Sequence, residues 1–364
     1  MSSLDADVLV LGLGVHGSAT AASLARRGVD VLAVDRFTPG HARGSSHGRT
    51  RMIRRAYPNP VWNDFVARAF DGWAELERQT GETLVHRTGG LYAHHGQSQL
   101  QGPDCVVVDD RARMAELMPG FAVPEGYRAV HDPSAGVIEA SRALTALQRS
   151  ASAHGAELRW GVRAEGWESI QGGVLVRTDA GDLRARTLVI AGGSWMGALV
   201  PELAPLLEVW RILTLTVAAG QAVGQPPSLG AFSVDRSEGL VFGIPDADGN
   251  GVKLGVDAGA VWDPETPVAP PSDDEIATLQ ALLAAYVPGI DTTPVEAAAC
   301  LYTMTADKRF VLGPLGRAPE VIVASACSGH GFKFGPAVGE ALADLATGVA
   351  RDDLAFISTS RRGF

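Results

Sequence analysis

Gly12, Gly14 and Gly17 stand in the spacing G-x-G-x-x-G between an apolar run, Val8 to Leu11, and small residues at helical intervals, Ala19 to Ala25. A turn of this kind lets the backbone, with Val15 at the start of the helix, approach a pyrophosphate whose charge sits at the helix N-terminus. Asp35 closes the next apolar run, Val31 to Val34, at the distance where a carboxylate bonds a ribose hydroxyl, and Arg36 follows it. These residues point to a dinucleotide and leave FAD, NAD and NADP open. A second concentration of chemistry is GHARGSSHGRTRMIRRAYPNP, where Arg43, Arg49, Arg51, Arg54 and Arg55 lie among glycines, serines and prolines. It reads as a loop. In GHGFKFGP, Lys333 sits in an apolar, glycine-rich turn where an unpaired ammonium is costly. Cys105, Cys300 and Cys327 are odd in number and widely spaced, which suggests neither a disulfide framework nor a zinc site, and no metal is expected.

The elements that position these residues form two cores, given 364 residues and domains of roughly 100 to 200. With 46% hydrophobic and 20% charged residues, and no run of about 18 apolar ones, the chain reads as soluble and globular, without a membrane span. A formal charge of -10 argues against a nucleic-acid or anionic-membrane surface, so an anionic substrate needs a local basic pocket. The N-terminal MSSLDADVLVLG lacks a basic region and a cleavage site, and a cytoplasmic protein is the expectation.

Val8 to Asp35 reads strand, helix, strand. Phe65, Ala69, Trp73 and Leu76 recur at helical intervals, GGLYAHH starts a strand, and Glu139 to His154 is helical again. ELRWGVRAEGWE, GVLVRTD and ARTLVIAGG are strand-like and can rejoin the first sheet. Val209 to Gly255 alternates between turns, as an antiparallel sheet does, and Glu275 to Tyr286 is an amphipathic helix. The C-terminal VIVASACSGHGFKFGPAVGEALADLATG reads strand, glycine-rich turn, helix. The expected class is α/β: a Rossmann-like dinucleotide domain from residues 1–88, 140–205 and 303–364. Interleaved with it, 89–139 and 206–302 form a substrate domain on a mixed, largely antiparallel sheet.

SSHGRTRMIR, VKLG, AACLYT and SGHGFKF together resemble the monomeric sarcosine oxidase and N-methyltryptophan oxidase family, in the family's order and over nearly the whole chain. The resemblance implies FAD, a small amine substrate, molecular oxygen as acceptor and a monomer. It matches Cys300 to the cysteine that bonds the flavin, and Arg54 and Lys333 to the pair that holds the substrate carboxylate. Arg51 matches an arginine packed by the flavin ring and Lys253 a lysine at its reactive edge, where a positive charge stabilises superoxide. His47 and His330 match site histidines, and Tyr302 follows the flavin cysteine by two residues. Ser45, Thr50, Gly329, Gly331 and Phe332 fall in the cofactor-binding motifs, and the helix after Phe334 turns its positive end toward the flavin. Cys327 receives no role.

Three positions depart from the family. Phe242 replaces an aromatic hydroxyl, Asp257 replaces a histidine beyond VKLG, and Arg49 stands where an acid is usual. Phe242 adds apolar surface, and Asp257, if it faces the cavity, can bind a cationic or hydroxyl-bearing substituent. The expected reaction is therefore oxidation of an N-alkyl or cyclic amino acid to an imine with release of hydrogen peroxide. A flavin dehydrogenase with a non-oxygen acceptor and a non-catalytic dinucleotide-binding protein are the alternatives.

Overall fold

A computed structural model of the chain describes residues 4–96, 100–220, 223–325 and 328–361. The first apolar run forms strand Ala6–Leu11, nearly all buried, as a strand covered on both faces must be. It pairs in parallel with Val31–Asp35 and with Leu183–Ile190. Glu157–Trp160 extends the sheet beyond Val31–Asp35, and Ala318–Ser325 extends it beyond Leu183–Ile190, both in parallel. The hairpin Ala164–Ile170 with Gly173–Thr178 and the strand Val311–Leu315 are antiparallel additions that bring the sheet to eight strands.

Helices Val15–Arg26 and Gly335–Ala346 pack together on this sheet. Their contact is close because it is built from small residues: a Cβ on Gly339 would lie 2.6 Å from the Cβ of Ala19. Arg26 and Arg27 pair with Glu340 at its rim. Helices Asn63–Thr80 and Ala140–Ala153 bury the apolar stripes expected of them, Trp73 and Leu76 from one meeting Ala143 and Leu147 from the other in one cluster.

The second sheet has nine strands. In spatial order Ala260–Val261, Glu208–Val217, Val252–Asp257, Leu240–Ile244, Ala231–Val234, Gly90–His94, Arg128–Asp132 and Val106–Val108 lie side by side. Pro294–Met304 pairs along the length of Glu208–Val217. Only Ala231–Val234 beside Gly90–His94 is parallel. Helix Asp273–Tyr286, started by a capping box of Ser272 and Glu275, closes the core with Leu279, Leu283 and Tyr286.

A small third sheet corrects the reading of the arginine-rich segment as a loop. Thr50–Ile53 is a strand, paired with Gly136–Glu139, which also pairs with Val85–Arg87. Arg51 and Met52 line a cavity between Thr50 and Ile53 in the core, so polar and apolar residues do not alternate as in a half-solvated strand. Gly136–Glu139 belongs to this third sheet although it falls within 89–139. Among the described residues no helix is long and apolar enough to cross a membrane.

Candidate active site

A cavity of about 1220 Å³ opens where the parallel strands of the first sheet end against one face of the second. Leu11, Val34, Ala191 and Ala324 bring it the carboxyl ends of the parallel strands. At this end the glycine turn is fixed by contact. A Cβ on Gly12 would lie 2.5 Å from the Ala191 carbonyl oxygen, and one on Gly17 would lie 1.7 Å from that of Gly12. The N-terminus of helix Val15–Arg26 has Gly14 as its cap and no side chain of its own to cap it. Among the described residues the Ser46 hydroxyl reaches in, accepting from the Val15 amide at 3.0 Å. Asp35 is buried and accepts from the Leu13 and Phe37 amides at 2.7 and 2.9 Å, so its carboxylate holds the turn as well as lining the cavity. Arg36 lies over Phe37 and Trp195 and is paired with Glu265 at 2.7 Å, which links the two sheets across the cavity rim. The glycine cradle, a helix N-terminus whose cap residue Gly14 offers no side chain, and the placed carboxylate fit the diphosphate and ribose of FAD.

The middle of the cavity is basic. Arg51 donates to the carbonyls of Thr50, Ser45 and His47 and lies over the Phe332 ring, which stacks on Trp73. Lys253, from Val252–Asp257, donates to the Thr50 carbonyl beside it. Burial first, and then the Arg51 charge, lower its pKa to about 7. His47, also lowered to about 4 by burial and then by Arg51, is neutral. Ser45 donates to the Leu301 carbonyl, tying the loop to the strand that carries Cys300 and Tyr302. Cys300 sits opposite Ile212 in the ladder and lines the cavity. Cys327 lies outside the described residues. Arg49 is exposed, lines the cavity next to Thr50 and bonds Asn250 at 3.4 Å.

At the far end Arg54 lies over two tyrosine rings, 5.2 Å from that of Tyr57 and 5.3 Å from that of Tyr92. The segment is held by Asp132, which accepts from the Arg55 and Ala56 amides at 2.6 and 3.0 Å. Lys333, buried, donates to the Tyr57 hydroxyl at 3.3 Å and to the His330 carbonyl at 2.9 Å. The ring of His330 meets the Tyr57 hydroxyl at 3.2 Å and the Lys308 carbonyl at 2.9 Å. A carbonyl only accepts, so Nε2 carries the proton and Nδ1 accepts from Tyr57. Burial and then Lys333 lower the His330 pKa to about 3, which keeps that tautomer neutral. Lys308 itself is held with φ at 54°. Gly331 accepts at its carbonyl from His16, on the helix behind the glycine turn, at 3.1 Å. Gly329, Tyr302, Phe242 and Asp257 also line the cavity.

All the residues singled out from the sequence as binding or catalytic, except Gly17, line this one cavity. Tyr57, Ser46 and His16 were missed. An aromatic in a basic loop, a serine and a helical histidine carry no signal until their partners, up to 315 residues away, are in place. His86, Glu139 and Asp248 converge within 4.8 Å elsewhere, with Glu139 engaged by Arg142 and His86.

Residues 7–345 match the family model of FAD dependent oxidoreductases. A monomeric sarcosine oxidase from Bacillus sp. (strain NS-129) is 33% identical over 98% of this chain and 96% of its own length. An N-methyl-L-tryptophan oxidase from Yersinia pestis (strain Pestoides F) is 30% identical, over 93% of this chain and 94% of its own. Among solved structures, the open form of a variant of NikD, an unusual amino acid oxidase essential for nikkomycin biosynthesis, superposes with a TM-score of 0.83. It is 25% identical and covers 98% of this chain and 97% of its own. The cavity, its glycine cradle and these full-length likenesses place the chain among the FAD-dependent oxidoreductases, in the family of the monomeric sarcosine and N-methyl-L-tryptophan oxidases.

Proposed function

We propose that the enzyme oxidises a secondary amine, an N-alkyl or cyclic amino acid held through its carboxylate, to an imine. Oxygen is the acceptor and hydrogen peroxide the second product. The observation that carries this reading is Arg54. Its guanidinium lies over two tyrosine rings in the cavity wall and has no ion-pair partner among the described residues. A half-buried arginine of this kind, its guanidinium presented by two rings, suits a carboxylate.

In this reading Arg54 and Lys333 grip the carboxylate and orient the amine. Tyr57 and His330 are positioning residues: the chain from the Lys308 carbonyl through His330 and Tyr57 sets where Lys333 points. His47 and His330 are both neutral and no side-chain base is required, because the amine reacts as the free base. FAD, which Gly12, Gly14 and Asp35 would hold, would supply the acceptor for the hydride equivalent lost from the carbon beside the nitrogen. Lys253 supplies the positive charge that stabilises the negative charge developing on oxygen. Tyr302 and Phe242 shape the wall that excludes water. Cys300 is the proposed covalent attachment point, and the enzyme acts as a monomer in the cytoplasm.

The test is anaerobic titration of the holoenzyme with N-methyl and cyclic amino acids, followed by the same reaction under air. Bleaching of the flavin and one peroxide per amine oxidised are expected. Bleaching without peroxide would assign a dehydrogenase instead, and no bleaching by any carboxylate amine would end the reading.

A further inference from the structure

Besides Arg54 and Lys333, the cavity is lined by a carboxylate oxygen that has no hydrogen-bond partner among the described residues. Asp257 ends strand Val252–Asp257 and lines the cavity, and its Oδ1 is buried without a hydrogen-bond partner among the described residues. Among the described residues its other oxygen meets the Lys308 ammonium alone, at 3.4 Å, and the Lys308 side chain is 56% exposed. A long contact to a solvated lysine offsets little of the cost of burying a carboxylate. Gly329 packs closely beside Oδ1, and a Cβ there would lie 2.9 Å from that oxygen and 3.0 Å from the Tyr302 ring, so a side chain at this position would crowd the carboxylate.

The sheet register orders this wall. Lys253, Gly255 and Asp257 share one face of their strand, at alternate positions, so Lys253 and Asp257 are about 13 Å apart along it. On the neighbouring strand Phe242 stands opposite Gly255 and Leu240 opposite Asp257. The Phe242 ring lies across the bare Gly255, where a Cβ would sit 2.5 Å from it. The surface leading to Asp257 is therefore apolar, ending in an anion.

We propose that Asp257 is the binding site for a second, cationic nitrogen on the substrate. The amine oxidised would then carry, beyond its carboxylate and reacting nitrogen, an apolar stretch that ends in an ammonium group. This rests on the carboxylate reading of Arg54 and Lys333 and names the substrate class within it. A cation satisfies the charge and the unmade hydrogen bond of Oδ1 together, whereas a hydroxyl satisfies only the second.

The experiment separates this site from the oxidation chemistry. Straight-chain carboxylates from butanoate to heptanoate, and the same acids with a terminal amine, have no oxidisable secondary amine. Each is titrated into the holoenzyme and followed by the shift of the flavin absorption spectrum. At one chain length the amino acid should bind about tenfold or more tightly than its parent. Asp257→Asn and Asp257→Ala should remove that preference and leave the parent's affinity unchanged. FAD content and melting temperature check that both variants fold. If the parents bind and no terminal amine improves them, or if the preference survives Asp257→Asn, the inference falls and the carboxylate reading stands. If no carboxylate binds at all, both fall.

Discussion

Lys253 and Lys333 face the same cavity with their charges held differently. Lys333 donates to a hydroxyl and a carbonyl, whereas Lys253 has the Thr50 carbonyl and lies beside Arg51 in a buried setting that lowers its pKa to about 7. Below that pH Lys253 is charged, and above it the charge is lost. The reaction of the reduced enzyme with oxygen should therefore slow as pH rises through about 7. Rapid mixing of photoreduced enzyme with oxygen across this range measures it, and Lys253→Met should be slow at every pH with amine reduction little changed. A flat profile for the native enzyme would remove Lys253 from the oxygen step. At Arg54 the loss is of binding. Arg54→Met should lower kcat/KM by about 30- to 150-fold, about 2–3 kcal/mol, with most of it in KM. A variant with unaltered KM for carboxylate amines would show that the carboxylate binds elsewhere. Lys333 was legible in the sequence because an ammonium in an apolar glycine turn demands a partner. Tyr57 was not, since its importance lies in joining Lys333 to His330, and all three meet only after the chain has folded.

The glycine turn works at the scale of the element. Gly17 is on the first turn of helix Val15–Arg26, and its missing side chain lets that turn lie directly against the strand end at Gly12. Gly17→Ala would press a methyl group to 1.7 Å from the Gly12 oxygen, so helix and strand must separate. Purified Gly17→Ala protein should carry much less FAD, read from the ratio of flavin to protein absorbance, and full occupancy would contradict the account. The buried partner strands and helices were readable in advance because their residues repeat with the period of the element they form. Thr50–Ile53 escaped because Arg51 and Met52 line the cavity beside buried Thr50, so the strand shows no polar and apolar alternation. The same property that makes the segment a site wall makes it look like a loop.

Across the whole molecule, the cavity is lined by residues of three sheets. The parallel sheet contributes Leu11, Asp35 and Ala324, the antiparallel one Lys253, Asp257 and Cys300, and the small one Thr50 and Arg51. A cofactor that filled this cavity would meet all three and so stabilise their assembly. The pairing of distant segments that produces this arrangement had to be guessed from strand order, since no local pattern says which sheet a strand joins. Where a ligand binds only the folded protein, stability rises with its free concentration, by about 2.7 kcal/mol at a hundredfold excess over Kd. If the cofactor is bonded to Cys300, as proposed, it cannot dissociate, and the melting temperature of the native enzyme should be independent of added FAD. Cys300→Ser keeps the glycine turn, Asp35 and the basic residues, so it should still bind FAD, but reversibly. Its melting temperature should rise steadily with added FAD, and its mass after acid denaturation should be that of the bare chain. Native protein should retain the added mass of FAD on the Cys300 peptide. If both proteins respond to FAD alike, the flavin is held by contacts alone and Cys300 is only part of the wall.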